Sequence, residues 1–590
     1  MVVFILLANW LSYSQTIPQD RTVDWSQAGL LQTISDPSIF ISVGEYGATG
    51  NGTTNDSPAI QSAIDNMNGN PGVLFFPAGT YLLLQPIIAH TGLVIKGEGA
   101  EETHLKFFLQ NDSQHAFVIT APQTNNYYPI LSGYDKGSQS IFLNSGSSLQ
   151  IGDFVEIQEE NGTWDTNPAS WASHSVGQIL QVNHVSENQV FFNTQIRITY
   201  EANLNPQIRK IEPIRNVKIE NLSIERIDEP ENGGGKNFYF SYAINCQVSG
   251  IESSKSQGSH IYISSSSNIF LFGNYIHDAF LYDGTDTRGY GITLNKHSGE
   301  ILVENNIFKN LRHAMVVKTG ANGNVFSYNY SREPYRSEPL HDYSGDISVH
   351  GHFAYANLFE ENICQNIIID HYWGPGGPFN TFFRNRTELY GFIMTSSNQE
   401  ETANQNITGN EISNSFPYGF YSLTGSNHFE YANNDGGTAI PQGETSFDDE
   451  SYHYFGRPWF LESSYPFPAI GFPNLLNEWS NPAKDRYISG GSMTVEIGLN
   501  VGLNERIRNQ VEPSFNIISN PVISFIHLSC KNSSSFRYTL YDISGKAIEG
   551  GQSSPSNNES IIPANQLNTG IYFIEISTTS YRQVLKFYKK

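Results

Sequence analysis

Eight of the chain's sixteen histidines, His260, His277, His297, His313, His341, His350, His352 and His371, lie in one stretch, a concentration of groups that titrate near neutral pH. Short apolar strands recur through that stretch: Ile261-Tyr262-Ile263, Ile292-Thr293-Leu294, Val316-Val317, Ile347-Ser348-Val349, Ile367-Ile368-Ile369, Phe392-Ile393-Met394 and Ser422-Leu423. Stacked by that pattern, their closing residues form an outward column: Ser264, Asn295, Lys318, His350, Asp370, Thr395 and Thr424. It is inert at both ends and ionisable over three successive rungs. Neighbouring strands lie about 4.8 Å apart, so Lys318, His350 and Asp370 can shift one another's titration and carry out acid–base chemistry.

Two places further on, His297, His352 and Tyr372 are expected to face the same side, with His371 and Trp373 at the edge. Arg288, Arg312, Arg384 and Arg386 in nearby turns offer bidentate donors to carboxylates or sulfates. The expected catalytic set is therefore Lys318, His350, His352, Asp370 and His371. The expected substrate-binding set is Asn295, His297, Arg288, Arg312, His313, Tyr372, Trp373, Arg384 and Arg386. Trp164 and Trp171, upstream of the regular repeats, are candidates for stacking on sugar rings.

If the ligand is a polysaccharide, two reactions suit these groups. A lyase acting on a uronic-acid polysaccharide must neutralise a carboxylate, remove the neighbouring proton and protonate the leaving oxygen; Lys318 or His350 would be the base, His352 or Tyr372 the acid. Calcium could neutralise instead, with oxygens from the loop Asp283-Gly284-Thr285-Asp286. A glycoside hydrolase needs two carboxyl groups about 5 to 9.5 Å apart, whereas Asp346 and Asp370 are offset by about 14 Å in this alignment. The lyase is favoured; the hydrolase requires Asp278, Asp283 or Glu338 to reach in from a loop. A third reading, a non-catalytic glycan-binding surface protein, would show uniform Ser, Thr and Asn columns, which the ionisable centre argues against.

These side chains need a repeating scaffold. Pairs of asparagines five or six residues apart recur at 216/221, 268/274, 324/329, 357/362 and 380/385, with weaker copies at Asn245 and Glu300. A period near 27 residues without amphipathic helical runs predicts an all-β solenoid, a right-handed parallel β-helix whose turn asparagines stack and serve structure, not chemistry. Ser57 and Pro58 predict the start of one short helix. The Pro- and aromatic-rich stretch 452–487 is expected to cover the last coil and protect its edge.

The segments Glu45-Tyr46-Gly47-Ala48-Thr49-Gly50-Asn51-Gly52, Asn55-Asp56-Ser57-Pro58-Ala59-Ile60, Phe76-Pro77-Ala78-Gly79-Thr80-Tyr81 and Gly97-Glu98-Gly99 resemble the opening of the pectate-lyase-like β-helix superfamily. The resemblance implies a carbohydrate ligand and leaves the reaction open. After Pro513 the composition shifts to alternating strands, predicting a small β-sandwich. Its Ser519-Asn520-Pro521, Tyr541-Asp542-Ile543-Ser544-Gly545-Lys546 and Leu567-Asn568-Thr569-Gly570-Ile571-Tyr572 resemble the C-terminal sorting domain of the type IX secretion system. That resemblance implies the export machinery as partner, a Gram-negative bacterium of the Bacteroidota as source, and a secreted or surface location.

The rest of the sequence agrees. Residues 1–14 read as a signal peptide, 15–505 as the β-helix and 512–590 as the sorting domain. Thirty-three basic against 57 acidic residues, net charge -24, argue against a nucleic-acid partner. No membrane span is expected, and three scattered cysteines exclude a disulfide scaffold or a CxxC-type zinc site.

Overall fold

Apolar residues alternate along strands only a few residues long, so no coil can bury its inner face without stacking on the next. The computed structural model describes residues 16–497 and 514–590, apart from 145–147, 338–344, 396–399, 415–416, 445–447, 472–478, 518–521, 532–535, 543–545, 554–558 and 578–581. The expected signal peptide, His341 and Glu338 lie outside the described residues. The chain divides into two compact units, Met1–Gly498 and Leu499–Lys590.

In the first unit, 32 strands form one almost wholly parallel sheet wound as a β-helix. A coil has three strands: Tyr290–Asn295, Leu302–Glu304 and Ile307–Lys309 pair in parallel with His313–Val317, Val325–Ser327 and Tyr330–Arg332 of the next. Inward residues such as Ile292, Leu294, Met315, Val317, Ile347 and Val349 fill the core.

From Asn274 onward the paired asparagines resolve into two buried ladders, whereas Asn268 bonds the carbonyls of Gln27 and Gly29 and Asn216 bonds Asn245. One runs Asn274, Asn306, Asn329, Asn362, Asn385, Asn410 and Asn433, each Nδ2 donating to the next Oδ1 at 2.9–3.0 Å. The other runs Asn324, Asn357, Asn380 and Gln405. Rungs are 23 to 33 residues apart because insertions leave the corners while the ladders keep their register.

The helix Ser57–Asn66 caps the N-terminal end. Ser57 is its first residue and not a side-chain cap; its Oγ accepts from the amides of Leu84 and Gln85, tying the helix to the first coils. At the other end, Asn433–Asp435 pairs antiparallel with Thr438–Ile440, turning the last edge back on itself. The aromatic-rich stretch therefore has another place than expected. It runs back along one side of the coils: Ser451 and Tyr452 bond Glu360, Tyr454 bonds Glu304, and Trp459 packs on Phe272 at 4.9 Å.

One element was not foreseen. Six antiparallel strands, Tyr128–Ser132, Ser140–Leu143, Phe154–Gln158, Gly177–Ser186, Gln189–Phe192 and Gln207–Ile211, close into a barrel inserted between coils. Its core continues into Tyr355 and Ala356 of the solenoid. The two backbones approach so closely that a Cβ on Gly320, whose φ is +70°, would lie 1.6 Å from the Ser175 carbonyl oxygen.

The second unit holds a three-stranded sheet, Ser514–Ile517, Phe525–Lys531 and Glu559–Pro563, and a four-stranded one, Ala547–Ser553, Phe536–Asp542, Gly570–Ser577 and Arg582–Lys589. Phe515, Ile526, Leu528, Phe536, Leu540, Ile574 and Phe587 share their core, making the small β-sandwich expected.

Candidate active site

Strand pairing places Ser264 opposite Asn295 and His350 opposite Asp370. Leu294 pairs with Val317, Val317 with Val349, and Ile369 with Met394, so one step on, Lys318 lies between Asn295 and His350 while Thr395 follows Asp370. The side-chain alternation then sets Asn295, Lys318, His350, Asp370 and Thr395 on one outward face. Asn295 donates to Ser264 Oγ at 3.2 Å.

His350 Nδ1 meets the Asp370 carboxylate in a short contact, and its Nε2 lies 3.4 Å from the Tyr290 hydroxyl. Burial raises the Asp370 pKa, but the His350 imidazole outweighs it and holds the carboxyl below its ordinary range. Burial pushes Lys318 down to about 8, with Asp286 and Asp370 pulling it up and Lys236 pushing it down. An amine at that value is neutral often enough near physiological pH to accept a proton.

Two walls flank the column. On one side the loop before Tyr290 is knit by charge: Arg288 holds Asp283 at 2.7 Å, Lys236 holds Asp286 at 3.1 Å, and Arg312 donates to the carbonyls of Asp283 and Asp286. Arg312 also sits 4.7 Å over the Tyr290 ring. Both carboxylates of the candidate calcium loop thus face cations, the arrangement of an ion-paired loop and not of an oxygen cage. On the other side Trp171, Trp373 and Tyr372 meet edge to face, and Tyr372 is 67% exposed. Such a wall offers apolar ring surface beside the titratable column.

The remaining expected residues have other settings. His297 is buried, 2.6 Å from Glu156 and 2.7 Å from the His174 carbonyl, pinning the barrel to the coils. His313 lies beneath the column against Tyr290, with burial and then Arg312 pushing its pKa well down. His352 is buried under Trp171, 3.6 Å from Asp165. Both nitrogens of His371 are taken, by the Thr395 carbonyl and the Thr402 amide.

Arg384 and Arg386 belong to a different side of the helix. Arg384 is buried against the carbonyls of Asp449, Ile470 and Gly471, and Arg386 pairs with Glu411 at 2.7 Å. They lie under the covering segment, away from the column. Asp346 is likewise buried, bonded to Ser331 and the Gln365 amide. Tyr290 and Lys236 join the site without having been singled out for it, and Asp286, expected as a calcium ligand, joins it as the ion-pair partner of Lys236. Their signal was only proximity to a strand start, which no side-chain period marks.

Residues 40–205 match the family described as rhamnogalacturonase A/epimerase, pectate lyase-like, and residues 516–590 the family described as secretion system C-terminal sorting domain. Among curated proteins, the chain is similar to a glucan 1,3-beta-glucosidase of Cochliobolus carbonum, 34% identical over 96 residues, 14% of this chain and 12% of that protein. It is also similar to plasmin and fibronectin-binding protein A of Streptococcus pneumoniae, 26% identical over 162 residues, 27% of this chain and 18% of that protein. The chain spans less than a fifth of the length of the curated relatives it matches. Among solved structures it is similar to tailspike protein gp49 from Pseudomonas phage LKA1, 14% identical with a TM-score of 0.45, covering 69% of this chain and 82% of that one. The chain thus folds as a parallel β-helix whose residues 40–205 are similar to a pectate-lyase-like family and whose residues 516–590 are similar to a C-terminal sorting domain of a secretion system.

Proposed function

We propose that this protein is an exported enzyme, released or held at the cell surface of a Gram-negative bacterium, that cleaves a uronic-acid-containing polysaccharide by β-elimination. The observation that carries the reading is a geometry: Lys318 stands one rung from the His350–Asp370 pair on the outward column, where burial lowers its pKa to about 8. Lys318 takes the proton from the carbon beside the substrate carboxylate. That electron pair forms the new carbon–carbon double bond, the adjacent carbon–oxygen bond breaks, and the leaving oxygen is protonated by His350. Arg312, whose guanidinium donates to the backbone carbonyls of Asp283 and Asp286, supplies local positive charge within a chain of net charge -24. The aromatic wall would hold a sugar face, and the matched family's description, naming a rhamnogalacturonase and an epimerase, supports a glycan as substrate.

A second reading has one specific support. Asp286, with a 53% exposed side chain, and Asp370 both act on Lys318, so two carboxyl groups border the column, the kind of pair from which a hydrolase is built. The test is to incubate the purified protein with a panel of acidic and neutral polysaccharides and follow both ultraviolet absorbance of unsaturated uronate and new reducing ends. Absorbance that vanishes in Lys318→Ala supports elimination. Reducing ends without absorbance, lost in Asp286→Asn, replace it with hydrolysis, and no response in either assay refutes both.

A further inference from the structure

Strand register fixes where the Lys318 backbone lies, but four side-chain torsions separate that backbone from its nitrogen. The acidic groups beside it are otherwise engaged: Asp370 by His350, Asp286 by Lys236. Among the described residues no hydrogen bond or ion pair reaches Lys318 Nζ. What does meet it is an indole: Nζ lies 4.6 Å from the ring of Trp171.

Trp171 does not belong to the solenoid. It sits in the short 3-10 turn Ser170–Ala172 of the barrel insertion. That turn is anchored on both sides. The Ala172 carbonyl accepts from Ser175 Oγ at 2.7 Å and from Asn161 Nδ2 at 2.9 Å, and the His174 carbonyl is bonded by His297. Ser175 is the residue against which Gly320 packs without room for a Cβ. The ring itself is wedged edge to face against Trp373 at 5.4 Å and His352 at 4.8 Å. The docking of the barrel therefore fixes the indole, and the indole covers the ammonium.

We propose that Trp171 is the positioning residue for Lys318, holding its nitrogen over the column and excluding water from one side of it. The proposal rests on the reading of Lys318 as a base. It explains why an inserted barrel should be docked so tightly on the coils next to the column: the insertion completes the environment of the reacting group. Two forces act in opposite directions. Exclusion of water favours the neutral amine, whereas the ring quadrupole favours the ammonium. For a nitrogen whose largest perturbation is burial, the first prevails.

The test reads Lys318 itself, independently of turnover. The full chain is reductively methylated with carbon-13 formaldehyde, the Lys318 resonance is assigned by its loss in Lys318→Arg, and its titration is followed by NMR in the parent, Trp171→Ala and Trp171→Phe proteins. In Trp171→Ala the midpoint should rise by about one pH unit toward that of ordinary lysine, while Trp171→Phe, which keeps a ring, should stay near the parent. An unchanged or lowered midpoint in Trp171→Ala overturns the proposal, as does a Trp171→Phe midpoint displaced as far as that of the alanine variant. If a polysaccharide is cleaved, the acidic limb of its rate profile should move with the NMR midpoint. A midpoint that rises in a protein inert toward every glycan sustains the positioning role and refutes the catalytic one.

Discussion

His350 and Asp370 occupy the same position on adjacent parallel strands, and the imidazole Nδ1 turns onto the carboxylate across the rung. The contact orients the ring so that Nε2 remains available beside the Tyr290 hydroxyl. It also engages Asp370 as the hydrogen-bond partner of His350, so that the carboxylate acts on Lys318 through charge alone.

Replacing Asp370 with Asn should keep the side-chain shape while removing the charge that orients and supports the imidazolium. A loss of turnover of about a hundredfold is expected, with little change in thermal stability. Steady-state kinetics on the first polysaccharide found to be cleaved decides the matter; unchanged kcat would mean that His350 does not need this partner.

The barrel should come loose when its buried triad is broken. Glu156 accepts from Arg209 and faces His297, and although burial raises its pKa, the His297 and Arg209 partners bring it to about 2. Glu156→Gln leaves Arg209 and His297 short of an anion in a buried site, costing about 3 kcal/mol or more. Limited proteolysis should then cut the connections at 121–127 and 212–213 faster than in the parent.

Acidic pH should favour the fold along the covered side of the coils. Burial pushes Glu360 up to about 7 and Glu361 up to about 8. In the unfolded chain glutamate ionises near 4.3, so between about pH 4.5 and 8 the unfolded state loses protons that the native state keeps, and stability falls as pH rises. Glu361→Gln, which keeps an acceptor for the amides of Ala469 and Ile470, should flatten the decline by about 1 kcal/mol per pH unit within that window. Urea midpoints measured across it would stay flat if the carboxyls were in fact ionised.

An interruption in the asparagine ladder should be felt along the helix. Asn329 accepts from the amide and side chain of Asn306 and donates to Asn362 Oδ1 and the Val303 carbonyl, all buried. Asn329→Ala leaves these groups without partners, and a destabilisation of about 3 kcal/mol is expected in thermal or denaturant unfolding. Asn51→Ala, on the exposed strand near the N-terminal end, should change stability by less than about 0.5 kcal/mol.

The sequence by itself determined the coils and the order of the column. A parallel β-helix has a side-chain period of two and stacks successive strands in register, so apolar alternation alone places Lys318, His350 and Asp370 on neighbouring rungs. The asparagine pairs were equally legible, because each must sit at the same corner to bond the next. Beyond the strands, that periodicity ends. His297 and His352 follow their strands at positive φ, where alternation no longer says which way a side chain points, and both are buried beneath the barrel. Arg384 and Arg386 are close in sequence to the column but turn a corner to another side of the coil. Only the tertiary structure decided that the barrel closes, that it docks on Gly320, and that Trp171 thereby covers Lys318, a residue 147 positions away in the chain. Contacts of that kind come from long-range packing, and no local pattern of residues encodes them.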